Sequence, residues 1–186
     1  MANDWRKKYD WVGPFSDGLA QVKSKKKYGF VNKQGEEVIP LKYNEVYPFY
    51  EGLAGVNVGG KYLKIGEDED LGSSVGLVEG GQWGFVDETG KEVIPPKYDW
   101  VDHFYEGFAA VRLIADGKYG FIDKTGKEVI PLKYDKAQFF SDGLARVRLD
   151  GKWGYIDKQG RNIPEEYLTA VRLGGDIERI LEIEKS

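Results

Sequence analysis

The chain of 186 residues has no cysteine and one histidine, and each scarcity removes a class of chemistry. Without cysteine there is no disulfide framework, no thiolate metal site and no cysteine nucleophile. A single histidine, His103, rules out the multi-histidine zinc sites that need two or three imidazoles on one ion. No stretch approaches the roughly 20 apolar residues of a membrane-spanning helix. Also missing from the first 164 residues is any helix-length segment with apolar residues at a 3.6 period. The opening Met-Ala-Asn-Asp-Trp-Arg-Lys-Lys is polar and leads into no apolar signal core, so the expected location is the cytoplasm. With 27 basic against 31 acidic residues the net charge is −4, against the basic footprint that nucleic-acid binding needs.

What the chain has instead is repetition. An aromatic–glycine pair recurs at Tyr28-Gly29, Trp83-Gly84, Tyr119-Gly120 and Trp153-Gly154, at spacings of 55, 36 and 34 residues. The longest version, Gly117 to Lys133, reads G-K-Y-G-F-I-D-K-T-G-K-E-V-I-P-L-K, with near-copies from Lys27 and Gln82 and a shortened one from Gly151. A tyrosine opens each unit at Tyr9, Tyr43, Tyr98 and Tyr134. An acidic residue, glycine, an apolar residue and alanine follow it at Asp17–Ala20, Glu51–Ala54, Glu106–Ala109 and Asp142–Ala145. A period of this size is that of a stacked repeat protein.

The local signals are those of strands. Ala145, Val147 and Leu149 alternate with Arg146, Arg148 and Asp150. Asp150-Gly151 suits a two-residue hairpin turn, and Asn32–Gly35, Asp87–Gly90, Asp123–Gly126 and Asp157–Gly160 suit turns closed by glycine. Each unit is expected to be a meander of about three short antiparallel strands, the last ending at the proline of V-I-P. The glycine after each aromatic is expected to leave a gap where a neighbouring ring lies on backbone.

With these residues in view, the chain resembles the WG-repeat (KWG-repeat) family, whose units read K-W-G-[FY]-I-D-x-x-G-x-x-V-I-P-x-x-Y-[DE] followed by F-x-[ED]-G-L-A-x-V. The resemblance spans residues 9 to about 167, with tyrosine for tryptophan at Tyr28 and Tyr119. It implies a β-rich, mostly bacterial repeat array and brings no catalytic residues.

The expected fold is therefore all-β: tandem antiparallel meanders stacked into an elongated, solenoid-like array, with a propeller as the alternative. The expected units are 9–42, 43–97 with an insertion near 59–75, 98–133 and 134–167, and a cap at 168–186, all in one repeat domain. Trp5 is expected to cover the first unit. The end of the chain reads as a degenerate fifth hairpin or as a short helix capped by Asp176, either closing the last apolar face.

For function the sequence says less. The run Glu67-Asp68-Glu69-Asp70 in the insertion reads as a solvated loop or as a contact for a basic partner, since clustered carboxylates pair with lysine and arginine; a Ca²⁺ site lacks the spacing. The acids Asp17, Glu51, Glu106 and Asp142 recur at one slot and read as structural. His103 reads as non-catalytic, with Asp102 on the opposite strand face. Lys23 to Lys27, with four lysines, reads as a solvated turn. Slots that vary between units are free to serve binding: Trp11, Glu45, Trp100 and Lys136; Gly13, Tyr47, Asp102 and Gln138; Gln21, Gly55, Ala110 and Arg146. Exposed aromatics are frequent anchors, which singles out Trp11, Tyr47, Trp100 and Tyr105. The expectation is a non-catalytic module without cofactor or metal that binds a basic protein, such as an immunity protein masking a toxin, and binds neither nucleic acid nor membrane. A glycan-binding module using exposed aromatics is the alternative.

Overall fold

A computed structural model of the chain describes residues 4–68, 73–115 and 117–169, with the backbone alone between residues 62 and 77. The described residues are almost entirely antiparallel strand, with two short 3-10 segments at Trp5–Lys8 and Glu165–Tyr167 and no sheet closed into a barrel. Among them no helix is long and apolar enough to cross a membrane. The chain divides into two compact units, one through His103 and one from Phe104.

The first unit holds two four-stranded sheets. In the first repeat, β1 (Trp11–Ser16), β2 (Leu19–Ser24), β3 (Lys27–Val31) and β4 (Glu37–Tyr43) pair in sequence order. In the second repeat, β5 (Glu45–Val46), β6 (Leu53–Val58), β9 (Gln82–Asp87) and β10 (Glu92–Tyr98) do the same. Between β6 and β9 the chain makes an extra hairpin, β7 (Lys61–Asp68) and β8 (Ser73–Glu79), a sheet of its own. β11 (Trp100–Val101) follows. In the second unit, β12 (Phe108–Arg112), β13 (Tyr119–Asp123) and β14 (Glu128–Tyr134) form one meander, and β15 (Lys136–Ser141), β16 (Leu144–Leu149), β17 (Lys152–Asp157) and β18 (Asn162–Ile163) the other.

The first, second and fourth repeats thus have four strands where about three were expected, the added one being β1, β5 or β15 ahead of the acidic turn; in the first three repeats the last strand also runs past its proline. Pro40 does not end β4. Phe30 pairs with Ile39 and Tyr28 with Tyr43, so two residues on β3 span four on β4. The surplus forms a bulge that takes up Pro40, a residue with no N–H to give to a ladder. Trp83 to Tyr98 and Tyr119 to Tyr134 are paired the same way. The bulge also explains the glycine of each aromatic–glycine pair. A Cβ on Gly29, Gly84 or Gly120 would lie 2.4, 2.3 or 2.5 Å from the carbonyl oxygen of Ile39, Ile94 or Ile130. The neighbour that needs the gap is thus the bulged strand's backbone, and not the ring expected from sequence.

The core of the first unit lies between its two sheets. Leu19, Phe30, Ile39 and Tyr43 from the first pack with Val46, Phe49, Ala54, Val56 and Val86 from the second. Phe30 and Phe49 meet edge to face at 4.9 Å, and in the second unit Phe121 and Phe140 repeat that contact at 4.9 Å. Such pairs add about 0.5–1.5 kcal/mol beyond the area they bury. The other face of the first sheet, with Val12, Phe15, Ala20, Val22 and Val31, is covered by Trp5 and Tyr9. Trp5 sits against Gly35, the turn glycine of its repeat; the equivalent Gly90 and Gly160 face Ile39 and Ile130 of preceding repeats. Trp5 therefore stands in for a preceding repeat, as the cap expected of it. The expected cap at the other end falls largely on residues 170–186, outside the described residues.

Candidate functional site

The polar residues that recur in every repeat are occupied in holding the fold. Asp17, Glu51, Glu106 and Asp142 each have φ between 50° and 53° and precede a glycine with φ between 75° and 87°, the geometry of a type I′ hairpin turn. Glu106 also accepts a hydrogen bond from the Gly143 N–H at 3.0 Å and pairs with Lys158 at 3.0 Å. Asn32, Asp87, Asp123 and Asp157 close the next turn: the Asp87 Oδ1 accepts from the N–H groups of Thr89 and Lys91 and from the Thr89 hydroxyl. These bonds favour the charged form, so the Asp87 and Asp123 carboxyls are held below the usual aspartate value, with the threonine hydroxyl as the main cause. In the first and fourth repeats the residue after the opening tyrosine caps the turn between second and third strands: Asp10 accepts from Lys25 N–H at 2.8 Å and Asp135 from Gly151 N–H at 3.0 Å. The lysine before the aromatic–glycine pair reaches forward to this residue, Lys27 to Asn44 at 3.3 Å and Lys118 to Asp135 at 2.6 Å.

Function is therefore to be sought where the repeats differ. The largest departure is the β7–β8 hairpin, inserted at the turn that is Lys25-Lys26 in the first repeat and Asp150-Gly151 in the fourth. Its root is held by two amides. Asn57, fully buried, accepts from Gly60 N–H at 3.2 Å and donates to the Gly80 carbonyl at 3.1 Å, one contact to each leg. Asn44 accepts from Gly59 N–H at 3.0 Å and donates to the Gly60 carbonyl at 2.7 Å. The slot of Asn57 is a cation elsewhere, Lys23, Arg112 and Arg148, each lying over the aromatic of its aromatic–glycine pair at 5.0, 5.6 and 6.0 Å. The second repeat gives up that contact for a clamp on the hairpin. Gly60 and Gly81 are forced by the same clamp, since a Cβ on either would fall within 2.3–2.4 Å of a neighbouring atom.

Glu67 and Asp68 lie in β7, opposite Ser74 and Ser73, rather than in a loop. Glu69 and Asp70 lie outside the described residues. Trp11 is exposed on β1, its ring lying over Gly13. Tyr47 is half-buried rather than an exposed anchor. It stacks on Trp83 at 4.4 Å and on His103 at 5.0 Å, and Tyr50 meets His103 edge-on at 4.5 Å. Burial, then the charges of Glu45 and Asp102, push the Tyr47 hydroxyl up to about 12, so it stays protonated. Trp100 is half-buried, and so is Tyr105, which leans on Phe139 at 4.6 Å in the second unit. Asp102 is not across a strand from His103: β11 has ended, and its Oδ1 accepts from the His103 N–H at 2.8 Å and lies 3.5 Å from Nδ1.

Sequence reading passed over a second cluster, around Trp153 in the fourth repeat. Trp153 is 44% exposed, whereas Trp83 and Tyr119 at the same slot are 6% and 8% exposed. Arg146 lies over its indole at 4.5 Å. Three clefts of about 350, 320 and 290 Å³ adjoin one another here, sharing Arg146 and Tyr155, then Trp153, Gly154 and Asn162. The signal available in the sequence was Arg146, filling a slot held by Gln21, Gly55 and Ala110 elsewhere.

Comparison with known protein families matches the WG containing repeat to residues 7–28, 28–62, 83–119 and 119–153. A comparison with curated proteins finds no match. Successive matches begin at Tyr28, Trp83 and Tyr119, on the third strand of a sheet, so the family's unit runs from one sheet into the next. The matched segments cover more than half of the chain, and their aromatic–glycine pairs, acidic hairpin turns and V-I-P bulges are the parts that build each sheet: the chain belongs to the WG-repeat family.

Proposed function

We propose that the chain is a non-catalytic scaffold that presents the β7–β8 hairpin to a protein partner, and that the partner is basic. The observation that carries this reading is the clamp at the hairpin root. A repeat that gives up its cation over an aromatic, and buries an asparagine to hold both legs of an insertion, spends fold stability on an element the sheet does not need. The hairpin sequence supplies Glu67, Asp68, Glu69 and Asp70, a cluster that attracts lysine and arginine and speeds encounter with them. Masking of a basic toxin, as an immunity protein does, is the biological role we propose for such a module. A row of glycan cradles finds less support, because the aromatic at the repeated slot is buried in the second and third repeats.

The test is affinity capture with three forms of the chain: wild type, the quadruple Glu67→Ser, Asp68→Ser, Glu69→Ser, Asp70→Ser variant, and a chain in which residues 59–81 are replaced by Asp-Gly. The expected result is a basic protein retained by the wild type, released as salt is raised, and lost from both variants. Under the masking role that protein arrests growth when expressed alone, and co-expression of the wild-type chain restores it. Equal retention on all three forms, or no protein retained by the wild type, contradicts the proposal.

A further inference from the structure

The fourth repeat repeats the sequence of the others up to its proline and then leaves the sheet. Ile163-Pro164-Glu165-Glu166-Tyr167 matches Ile39-Pro40-Leu41-Lys42-Tyr43 in spacing. In the first repeat those residues continue β4 through the bulge, and Tyr43 pairs with Tyr28. In the fourth, β18 stops at Ile163, residues Glu165–Tyr167 form a 3-10 turn, and Tyr155 and Ile156 are the residues of β17 that pair with β18. Tyr167 is half-buried against Leu144 and Ile163 instead of joining the ladder.

The consequence is that, among the described residues, none pairs with the outer edge of Trp153. Lys152 is the partner of Leu149 across the two-residue turn, so its backbone groups bond inward to β16. Alternation along an antiparallel ladder then turns the N–H and C=O of Trp153 to the opposite edge. In the first three repeats a tyrosine of the bulged strand occupies that edge; in the fourth, no described residue pairs with Trp153 there. Gly154 reports the same opening independently. Among the described residues, a Cβ on it would meet nothing closer than the Asn162 Oδ1 at 3.3 Å, against 2.3–2.5 Å to strand backbone at Gly29, Gly84 and Gly120.

The side chains around this edge define what fits it. Arg146, Trp153, Gly154, Tyr155 and Asn162 line one cleft of about 320 Å³, closed at one side by the Ile163–Glu165 turn with the acidic Glu165. The guanidinium carbon of Arg146 lies over the indole, 4.5 Å from its centroid, and Arg146 makes no hydrogen bond or ion pair with a described residue. A guanidinium resting over a ring face keeps its donors available to a carboxylate. Arginine, tryptophan and tyrosine together are the residue types that concentrate binding energy.

We propose that this edge is a binding site for an extended peptide with a carboxylate side chain. The peptide adds as a strand beside Trp153, exchanging main-chain hydrogen bonds with it, and its carboxylate pairs with Arg146. This is strand addition, in which main-chain bonds give affinity and the side-chain contact gives selectivity. The site is separate from the hairpin and rests on different observations, so the two proposals stand or fall apart.

The probe is a fluorescein-labelled heptapeptide of alternating valine and glutamate, read by fluorescence anisotropy against the full chain. Three control probes replace glutamate by glutamine, N-methylate alternate peptide nitrogens, or replace the peptide by a thymidylate heptamer. Saturable binding is expected for the valine–glutamate peptide. Arg146→Ala, which installs the residue that the third repeat carries as Ala110, is expected to weaken it by about tenfold or more, since hydrogen bonds to a charged group are among the stronger ones. The glutamine peptide loses a similar factor, and the N-methylated peptide fails to bind. The chain with residues 59–81 replaced by Asp-Gly binds the peptide as the wild type does, which separates this site from the hairpin. No binding of the valine–glutamate peptide, equal binding by Arg146→Ala, equal binding of the N-methylated peptide, or tighter binding of the thymidylate overturns the proposal.

Discussion

The first and fourth repeats carry the same motif and finish it differently. In the first, the fourth strand bulges at Pro40 and returns to pair Tyr43 with Tyr28, closing the edge and burying the glycine between them. In the fourth, one residue fewer separates the turn glycine from the proline, the strand ends at Ile163, and no described residue pairs with the outer edge of Trp153. The second repeat keeps its edge closed and departs elsewhere, at the turn that admits a clamped hairpin. The repeated residues build sheets; the two departures provide the features not spent on the fold.

The sharpest way to break this comparison is one substitution made at matched positions. Gly29→Ala or Gly120→Ala drives a methyl into the carbonyl of Ile39 or Ile130 and is expected to cost about 3 kcal/mol or to prevent folding. Gly154→Ala meets the movable Asn162 side chain instead and is expected to cost under about 1 kcal/mol. Urea unfolding of the variants measures both; equal costs would mean that the fourth repeat is closed like the first.

The next effect concerns the clamp. Asn57→Ala leaves the Gly60 N–H and the Gly80 carbonyl without their buried partner, at about 2 kcal/mol. In the chain with residues 59–81 replaced by Asp-Gly the same substitution is expected to cost little, because the clamped groups are gone. A double-mutant cycle by thermal or urea unfolding reads the difference.

The smallest effect is that of acid. Asp87 and Asp123 are held below the ordinary aspartate value by the hydroxyls of Thr89 and Thr125 and by turn N–H groups. A depressed carboxyl contributes stability that is present above its unfolded value, near 4, and lost as pH falls through its lower folded value. Melting temperature is therefore expected to fall below about pH 4, and Asp87→Asn with Asp123→Asn, the residue type the first repeat uses at Asn32, to flatten that acid limb.

Much of this architecture was legible in the sequence, because repeats expose their own constraints. The turn at Asp150-Gly151, the asparagine and aspartate turns, and the role of Trp5 all follow from residue type and spacing. The strand ahead of each acidic turn and the run of β4 past its proline were not legible: a proline ends most strands, and its tolerance at Pro40 depends on a bulge that only pairing reveals. The strand content of the insertion was hidden for the opposite reason, since Glu67 and Asp68 lie in β7 although a run of acids reads as loop. At the site, Arg146 stood among the variable slots, but the exposure of Trp153 depends on a strand that stops one turn away. Tyr47 was chosen as an exposed ring, and its stacking on Trp83 and His103 is a long-range contact without a local signature.

The claim that repeated residues suffice for the fold and that the hairpin is an addition to it is tested most directly by thermal unfolding of the chain with residues 59–81 replaced by Asp-Gly. That replacement brings the spacing of Tyr28 and Trp83 from 55 residues to the 34 found between Tyr119 and Trp153. Cooperative unfolding within about 4 °C of the wild type, a change of about 1 kcal/mol or less, is the predicted result. A chain that no longer folds, or that melts more than about 10 °C lower, would contradict it and make the hairpin part of the core structure.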